Sequence, residues 1–409
     1  MKVTKVGVIG MGCRGFSMMK SHMLKMPNVK IVAVCDKYQD RADKACDAVL
    51  EASGEAPTLV TTEAAEVINY PEVEAVIVFT SWDCHVDYAI DAMNAGKPVA
   101  MEVGGAYTLE ECFELVETYE KTGVPFMMLE NCCYGKVETT VTRMVREGLL
   151  GEIVHCEGGY RHDLRWEIAN GEKNRHYRLE EYKNRNCENY PTHEIGPIAK
   201  LLGINSGNRF VSLVSVASKA AGMTEYLKAN KPEMADTKFA QGDIVTTTIK
   251  CHNGETVTIT LDTTLPRFYS RDFAIYGTKG MFDERTNSVF LDNSDFHKYH
   301  FNWQPQWDNL KEVGKDYIHP LWDDNGKEAI SASGSHANID MFVLEAFFDS
   351  LEKGSPMPID VYDAATWMAI TALSEKSIAE GSVPVEFPDF TNGKWQQKKH
   401  PTGSVYFLD

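Results

Sequence analysis

The sequence predicts an α/β protein in which a doubly wound parallel sheet is followed by an α+β domain with an open, mostly antiparallel sheet. Strand and helix patterns alternate from the first residues to about Asn131, and alternation of this kind indicates a parallel sheet with right-handed crossovers. Beyond Asn131 the strand patterns follow one another and are rich in Val, Ile and Thr. The length, 409 residues, suits about two domains. We expect domains at 1–131 and 132–409.

The first domain is predicted from apolar runs that alternate with amphipathic stretches. The strand patterns cover Val3–Ile9, Ile31–Cys35, Val73–Phe79, Val99–Met101 and Phe126–Leu129. The helix patterns cover Cys13–Leu24, Asp40–Ala52, Asp83–Asn94 and Leu109–Lys121. Gly96 and Gly123 follow two of these helices, where C-terminal stops are expected.

The second domain begins with a helix pattern, Lys136–Glu147, and a strand pattern, Glu152–Tyr160, before a polar, basic stretch from Arg161 to Glu188. Four further strand patterns cover Phe210–Ala217, Ile244–Cys251, Thr256–Thr263 and Phe273–Tyr276. Asn253-Gly254 predicts a hairpin turn between two of them. The chain ends with helices that begin near Ile339, with a stop at Gly354, and at about Tyr362–Ala379.

A glycine motif lies between the first strand and the first helix. Gly10-Met11-Gly12-Cys13-Arg14-Gly15 reads G-x-G-x-x-G, and Asp36 ends the second strand about 20 residues later. Gly10 would permit the tight turn, Gly12 the approach of a pyrophosphate, and Gly15 close packing of helix on strand. Asp36 would bind the adenosine ribose. The motif predicts a Rossmann domain that binds NAD rather than NADP, since an acid repels a 2′-phosphate.

Composition excludes several classes of partner. The formal charge is −18, from 59 acidic and 41 basic residues, which argues against nucleic acid and anionic membranes. No apolar stretch approaches the ~20 residues of a membrane span. The ten cysteines are scattered and show no metal-site spacing, so we expect no metal and a cytoplasmic, reducing location, unless a leader has been removed. An open sheet needs cover on its outer face, which favours a homo-oligomer.

The order of the two domains resembles that of the glucose–fructose oxidoreductase, inositol dehydrogenase and MocA family. The segment from Ala95 to Glu102 (AGKPVAME) resembles the strand that leads to that family's Glu-Lys-Pro motif. This chain instead reads Glu102-Val103-Gly104 and lacks the lysine that assists proton transfer in the family. The missing lysine makes this chain a poor match to an ordinary dehydrogenase of that family, and so disfavours that function.

Longer strings resemble glycoside hydrolase family 109, whose members are NAD-dependent N-acetylgalactosaminidases. They lie in order along nearly the whole chain: 11–15 (MGCRG), 82–85 (WDCH), 128–131 (MLEN), 159–165 (GYRHDLR), 190–193 (YPTH), 208–209 (NR), 242–246 (GDIVT), 265–270 (LPRFYS) and 361–367 (VYDAATW). The resemblance implies a hydrolase that takes NAD and an amino-sugar glycoside.

A nicotinamide cofactor permits glycoside hydrolysis without net redox change. Transient oxidation at C3 makes the C2 hydrogen acidic, elimination across C1–C2 expels the leaving group, and addition of water and re-reduction complete the cycle. A pair of carboxylates about 5–10 Å apart is the usual alternative for a glycosidase, and the many acids of this chain leave it open. A conventional sugar or polyol dehydrogenase and a non-catalytic dinucleotide sensor are the other hypotheses.

The second domain offers the groups that such a reaction needs. His193 is the predicted general acid–base, since histidine titrates near neutral pH. If their segment is helical, Tyr190 shares a face with His193. We assign catalysis to His193, Tyr190 and Tyr269. The substrate-binding set adds four residues to these: Tyr160, Arg178, Pro191 and Thr192. His162 and Arg165 are weaker candidates. For each residue the alternative is an ordinary structural role, as a cap, a core aromatic or a surface arginine.

The remaining cofactor contacts follow from the matched motifs and from the ends of the parallel strands, where ligands bind in open α/β sheets. In addition to the three glycines and Asp36, we expect contacts from Cys13, Arg14, Trp82, Asp83, Cys84, His85, Glu102, Val103 and Asn131.

Overall fold

The computed structural model describes residues 2–292, 298, 300–322, 337–399 and 401–408. Within these residues the chain divides into two compact units. The first unit comprises Met1–Tyr134, Asp324–Thr366 and Gly403–Phe407, and the second comprises Gly135–Asp323, Trp367–Thr402 and Leu408–Asp409. Each unit has its own sheet.

The sheet of the first unit has six parallel strands in the order β3-β2-β1-β4-β5-β6 among the described residues. The strands are β1 Thr4–Ile9, β2 Val29–Cys35, β3 Leu59–Thr61, β4 Ala75–Val78, β5 Val99–Met101 and β6 Phe126–Met128. The order reverses between β1 and β4, which makes the carboxyl ends of these strands the expected ligand crevice. The predicted doubly wound parallel sheet is confirmed.

Helices connect these strands: α1 Cys13–Ser21, α2 Gln39–Ser53, α3 Ala64–Ile68, α4 His85–Asn94 and α5 Leu109–Thr122. Local sequence explains the ends of α5, because the Thr108 side chain accepts a hydrogen bond from the backbone N–H of Glu111, and Gly123 adopts a left-handed conformation after the last turn. The sequence patterns did not predict β3, an edge strand that is only partly buried, or α3, which has five residues and is too short to show periodicity.

One C-terminal helix belongs to the first unit. The helix α13, Ala337–Lys353, lies in the part of the chain that the sequence assigned to the second domain, yet the division by contacts groups it with the first sheet. Phe342, Val343 and Phe347 of this helix are buried, and its Asp340 pairs with Arg14 of α1 and accepts a hydrogen bond from Asn131. The next helix, α14 Val361–Ala379, contains the boundary between the two units.

The sheet of the second unit has eight described strands in the order β13-β12-β11-β7-β10-β9-β8-β14. They are β7 Ile153–Arg161, β8 Phe210–Ala217, β9 Ile244–Cys251, β10 Thr256–Asp262, β11 Ala274–Gly277, β12 Gly280–Asp283, β13 Ser288–Leu291 and β14 Val385–Glu386. β7 and β10 are parallel, and the other neighbours are antiparallel, as predicted. Gly254, with φ of +106°, forms the predicted hairpin turn between β9 and β10.

The helices of the second unit include several short ones: α6 Lys136–Arg146, α7 Arg165–Ala169, α8 Gly171–Asn174, α9 Arg178–Asn184, α10 Thr192–Leu201, α11 Gly222–Asn230 and α12 Leu310–Val313. Short 3-10 turns lie at Met23–Lys25, Asn131–Tyr134, Pro232–Met234, Gln304–Gln306, Lys315–Tyr317, Pro320–Trp322, Lys394–Gln396 and Val405–Phe407. Within the described ranges, the helices are all too short or too polar to cross a membrane.

Candidate functional site

The glycine turn after β1 has the shape that a dinucleotide requires. Gly10 has φ of +95°, and a Cβ there would lie 2.6 Å from the carbonyl carbon of Phe79. A Cβ on Gly15 would lie 1.9 Å from the Gly10 oxygen, so helix and strand pack without room for a side chain. At Gly12 the nearest atom, Arg41 Nη1, is 3.7 Å away, which leaves space open. Because α1 begins at Cys13 without a side-chain cap, the turn fits a pyrophosphate.

Asp36, which follows β2, stabilises this turn by hydrogen bonds. Its Oδ2 accepts a hydrogen bond of 2.7 Å from the N–H of Met11, and its Oδ1 accepts one of 3.0 Å from the N–H of Tyr38. A carboxylate oxygen has two acceptor positions, so both oxygens keep capacity for a ribose hydroxyl. The Arg41 guanidinium lies 3.9 Å from Oδ2.

Three of the predicted cofactor contacts, Arg14, Glu102 and Asn131, meet in one network. Arg14 Nε donates to Glu102 at 2.9 Å, and its Nη1 and Nη2 donate to both oxygens of Asp340 at 2.7 and 2.8 Å. Asn131 Nδ2 donates to Asp340 Oδ1 at 2.6 Å. Burial opposes ionisation of Asp340, but its bonds with Arg14 outweigh burial and hold the pKa of that carboxyl below its usual value. Sequence reasoning missed Asp340, which resembles an ordinary polar position of an amphipathic helix.

The segment after β4 packs against the segment after β5. Trp82 Nε1 donates to the carbonyl of Val103 at 3.2 Å, and a Cβ on Gly104 would lie 2.2 Å from the indole ring. His85 is fully buried, and burial lowers its pKa to about 4, so the imidazole is neutral at pH 7.

The other two residues of this string, Asp83 and Cys84, both contact Ser81. The Ser81 hydroxyl donates to the Asp83 carboxylate, and the Cys84 thiol lies 3.4 Å from the Ser81 carbonyl oxygen. The structure thus places the whole string at the carboxyl edge of the sheet, where its role in binding cofactor stays a prediction.

The second unit brings four predicted residues together: Tyr160, Tyr190, His193 and Tyr269. The Tyr190 hydroxyl lies 3.2 Å from His193 Nε2, and the Tyr160 ring lies 4.5 Å from Tyr190, 5.7 Å from His193 and 6.3 Å from Tyr269, centroid to centroid. Tyr160, Tyr190 and His193 are at most 9% exposed, whereas Tyr269 is 39% exposed. The tyrosine–histidine cluster, as we call these four residues, therefore has one open side.

Local backbone geometry builds the cluster. Arg161 and Ser270 form an antiparallel bridge with N–H···O distances of 3.1 and 3.0 Å, which brings Tyr269 beside the end of β7. A Cβ at Gly158 would lie 3.1 Å from Glu194 Cβ, so this glycine lets α10 approach the strand. α10 begins only at Thr192, so Tyr190 precedes the helix. Tyr190 and His193 therefore do not share a helix face; they meet because the chain turns at Pro191 before the helix begins.

The weaker candidate His162 also joins the cluster. Its Nδ1 lies 3.1 Å from the Tyr160 hydroxyl, and its ring centroid is 5.2 Å from that of Tyr269. Burial and the charge of Arg178 hold the pKa of His162 below its ordinary value. Arg165 pairs instead with Asp163 at 2.6 Å.

Arg178 lies under the cluster with its side chain only 11% exposed. Its Nη1 donates to Glu167 at 2.5 Å, and its guanidinium lies 5.5 Å from the Tyr190 ring centroid. Pro191 caps α10, and Thr192 is fully buried with an Oγ1 that has no hydrogen-bond partner among the described residues. Contact of these three residues with a sugar stays a prediction.

Two acids that the sequence did not single out flank the Tyr190–His193 segment. Glu188 is fully buried, Glu194 is 2% exposed, and their carboxyl groups interact with each other. Burial raises the pKa of Glu188, so this carboxyl tends to keep its proton. No spacing rule for catalytic residues would have found this pair.

Comparison with known proteins agrees with both halves of this description. Residues 134–397 match the model of the glycosyl hydrolase 109 C-terminal domain, and residues 4–130 match that of the oxidoreductase family with an NAD-binding Rossmann fold. A glycosyl hydrolase family 109 protein of Stenotrophomonas maltophilia is 39% identical, covering 97% of this chain and 90% of the relative. An alpha-N-acetylgalactosaminidase of Shewanella oneidensis is 37% identical, covering 99% and 88%.

Solved structures show the same fold at low identity. Levoglucosan dehydrogenase in complex with NADH matches with a TM-score of 0.68 and 18% identity, covering 95% of this chain and 100% of that one. Myo-inositol 2-dehydrogenase from Lactobacillus plantarum matches with a TM-score of 0.64 and 16% identity, with the same coverage. These likenesses concern the fold, whereas the family follows from the full-length relatives and the C-terminal match. The chain belongs to glycosyl hydrolase family 109 and is an NAD-dependent glycosidase.

Proposed function

We propose that this glycosidase hydrolyses α-linked N-acetylgalactosaminides, or closely related amino-sugar glycosides, through transient oxidation at C3 of the sugar. The observation that carries the proposal is the tyrosine–histidine cluster, in which an imidazole and three phenols converge with one open side. The relative from Shewanella oneidensis that is named alpha-N-acetylgalactosaminidase supports the choice of sugar.

The residues of the first unit that would hold NAD are those of the glycine turn and Asp36. Gly12 leaves the space, the first turn of α1 supplies backbone N–H groups, and Asp36 offers its remaining acceptor positions. When bound, NAD supplies reversible oxidation of a sugar hydroxyl. Proton transfers are then left to the side chains of this protein.

His193 is the proposed general acid–base. Oxidation at C3 acidifies the C2 hydrogen, so a base near neutral pKa can remove that proton while the C1 substituent leaves. The 3.2 Å contact between Tyr190 and His193 Nε2 orients the imidazole and gives it a partner for proton exchange. A water molecule that adds at C1, a proton that returns to C2 and the hydride that the reduced cofactor would return to the C3 carbonyl restore the sugar, and the net reaction is hydrolysis.

The tyrosines and Arg178 are proposed to shape the sugar site. Tyr269, the most exposed member of the cluster, presents a ring and a hydroxyl to a ligand. Tyr160 packs between Tyr190 and Tyr269 and couples their positions. Arg178 contributes by holding the Tyr190 ring through a cation–π contact and by its ion pair with Glu167.

The proposal is tested with chromogenic glycosides assayed with and without added NAD, using protein stripped of bound nucleotide. We expect hydrolysis of the α-N-acetylgalactosaminide to depend on NAD, and hydrolysis of the unacetylated α-galactoside to be much slower. Steady accumulation of NADH in step with a ketone product would instead identify a dehydrogenase.

The route has a separate test on the product. Hydrolysis in D2O should place deuterium at C2, as detected by NMR, because the C2 proton leaves and returns within each turnover. A 3-deoxy analogue of the substrate has no hydroxyl to oxidise and should be inert. Hydrolysis of that analogue at the normal rate would exclude the redox route, since an ordinary pair of carboxylates acts at C1 alone.

We also propose that the protein works in a reducing, cytoplasmic compartment and forms homo-oligomers. The ten cysteines, all of them within the described residues, form no disulfide bond, and Cys35, Cys156 and Cys251 are buried. Val154 and Val216, on β7 and β8, are 50% and 56% exposed, which favours cover of that sheet by a second copy. Light scattering coupled to gel filtration should give a mass above the 45.8 kDa of one chain.

A further inference from the structure

The first unit contains a cluster of polar side chains whose charges do not cancel. We call it the carboxylate cluster, and it consists of Arg14, Glu102, Asn131 and Asp340. Arg14 is 36% exposed and is its cation, with three of its five donors committed to carboxylate oxygens at 2.7 to 2.9 Å. Glu102 and Asp340 are at most 10% exposed. Two acids thus face one base, and the cluster carries a net negative charge.

Among the residues that the structure describes, the neighbouring groups do not restore neutrality. His22 Nε2 lies 3.9 Å from Asp340, but burial is the largest of the influences that lower the His22 pKa, so the ring is neutral at pH 7. Lys25 is exposed, and its charge is screened by solvent. Glu130, which adjoins Asn131, is fully buried and accepts a hydrogen bond from the N–H of Cys132.

The position of the cluster relates it to one half of a dinucleotide. Glu102 follows β5 and Asn131 follows β6, whereas Asp36 follows β2 on the other side of the point where the strand order reverses. In a doubly wound sheet each mononucleotide half of the ligand lies over its own half of the strands. With the adenosine ribose at Asp36, the nicotinamide half would lie over β4–β6, on the side of the carboxylate cluster.

We propose that the carboxylate cluster, with Asp340 as its positioning residue, makes the protein bind the oxidised cofactor in preference to the reduced one. The oxidised nicotinamide ring carries a positive charge, and the ring loses that charge when it gains two electrons and a proton. A net negative cluster on the same side of the sheet stabilises the cationic ring and leaves the neutral ring unaffected. The inference rests on NAD as the cofactor and is independent of which sugar is hydrolysed.

This preference suits an enzyme with no net redox change. Such an enzyme begins every turnover with the oxidised cofactor and must regenerate it before product leaves. A surplus of carboxylates favours that form between turnovers. Asp340 serves the cluster in two ways, since it adds the second negative charge and fixes both Arg14 and Asn131.

The test compares affinities for NAD+ and NADH in the full-length protein, stripped of nucleotide, by calorimetry. In Asp340→Asn we expect the ratio Kd(NADH)/Kd(NAD+) to fall by about three- to tenfold, the size of a unit-charge interaction across a partly screened distance. Glu102→Gln removes one charge from the segment after β5 and should also lower the ratio. Melting curves with and without nucleotide show which variants fold.

Asp349→Asn is the matched control. Asp349 lies on the same helix, about 14 Å along its axis from Asp340, and pairs with Lys353 at 2.8 Å. This variant should leave the ratio unchanged. If the cluster is merely structural, Asp340→Asn and Glu102→Gln will weaken both affinities equally, and an unchanged ratio in either folded variant overturns the proposal. Wild-type protein that binds neither nucleotide would contradict both the cofactor and this inference, whereas a different sugar specificity would not.

Discussion

Replacement of Gly12 by alanine separates binding of the cofactor from folding of the turn. Gly12 has φ of −64°, which alanine adopts without strain, and the nearest atom to an added methyl group is 3.7 Å away. Glycine is preferred over alanine at a helix N-cap, so the substitution lowers the free energy of unfolding by ~0.5–1 kcal/mol. Alanine also reduces the conformational freedom of the unfolded chain, which raises the free energy of unfolding by about as much. We therefore expect Gly12→Ala to unfold at nearly the wild-type temperature.

The added methyl group instead occupies the space through which a pyrophosphate reaches the backbone. A hydrogen bond to a charged group is worth about 1.5–3 kcal/mol, so displacement from one N–H lowers affinity for NAD by roughly 10- to 100-fold. Calorimetry with NAD measures this loss directly, and thermal unfolding monitored by circular dichroism measures the stability.

Gly15→Ala is the contrasting variant. Its Cβ would lie 1.9 Å from the backbone oxygen of Gly10 and 2.8 Å from Phe79 Cβ, so the helix must move. Overpacking of this kind costs about 1–3 kcal/mol or more, and we expect losses of both stability and affinity. Wild-type affinity for NAD in a folded Gly12→Ala protein would refute the reasoning, because no phosphate would then approach the backbone at Gly12.

Three further predictions concern the catalytic base, cofactor choice and pH. His193→Ala should lower turnover by about 10² or more while NAD affinity stays the same, and His155→Ala, a histidine of the same unit that pairs with Thr256, should leave turnover unchanged; equal rates in the two variants would remove His193 from the mechanism. Affinity for NAD should exceed that for NADP at least tenfold by calorimetry, since the Asp36 carboxylate repels a 2′-phosphate; equal affinities would contradict its assignment. Burial raises the pKa of Glu188, so the stability that this residue contributes is complete below the ordinary glutamate pKa and declines as the pH rises towards the pKa of the folded state. Glu188→Gln should flatten this decline of the free energy of unfolding with pH, as measured by chemical denaturation. A dependence on pH identical to that of the wild type would count against this assignment.

The first sheet was predictable because its signals are local. Strand Val99–Met101 has the bounds that the apolar run predicted, and the start of α1 at Cys13 follows from the glycine motif. Parallel strands buried on both faces are nearly continuous apolar runs, which a sequence displays directly. Leu59–Thr61 was missed because this edge strand is only partly buried and ends in a polar residue, whereas the equally short Val99–Met101 is fully buried.

The basic stretch from Arg161 to Glu188 was harder to predict for a different reason. It holds three short helices, Arg165–Ala169, Gly171–Asn174 and Arg178–Asn184, whose stability comes from tertiary contacts rather than from periodicity. The ion pair between Arg178 and the half-buried Glu167 is such a contact. In sequence both residues resemble charges on a solvated surface.

The sequence showed which residues of the dinucleotide site belong together, but it did not show this for the tyrosine–histidine cluster. Asp36 and the glycine turn belong to one motif, and the structure joins them by the Met11 N–H bond. Tyr160 and Tyr269 are distant in sequence and meet because Arg161 and Ser270 pair across two segments. No spacing indicates this pairing, so the tyrosine–histidine cluster was accessible only through the family resemblance. Asp340 could not be predicted from the sequence, since its contacts with Arg14 and Asn131 form only when its helix packs on the first unit.

The absence of the lysine of the Glu-Lys-Pro motif has a structural counterpart in the segment after β5. Val103 stands at the lysine position, is 4% exposed, and gives its carbonyl to Trp82 Nε1. Gly104 stands at the proline position, and any Cβ there would collide with the Trp82 ring. A proline at position 104 and this tryptophan therefore exclude each other sterically, and substitution of Val103 alone would not recreate the Glu-Lys-Pro motif. A reaction that moves protons at carbon and oxygen needs another titratable group, and the His193–Tyr190 pair of the second unit has the chemistry to provide it.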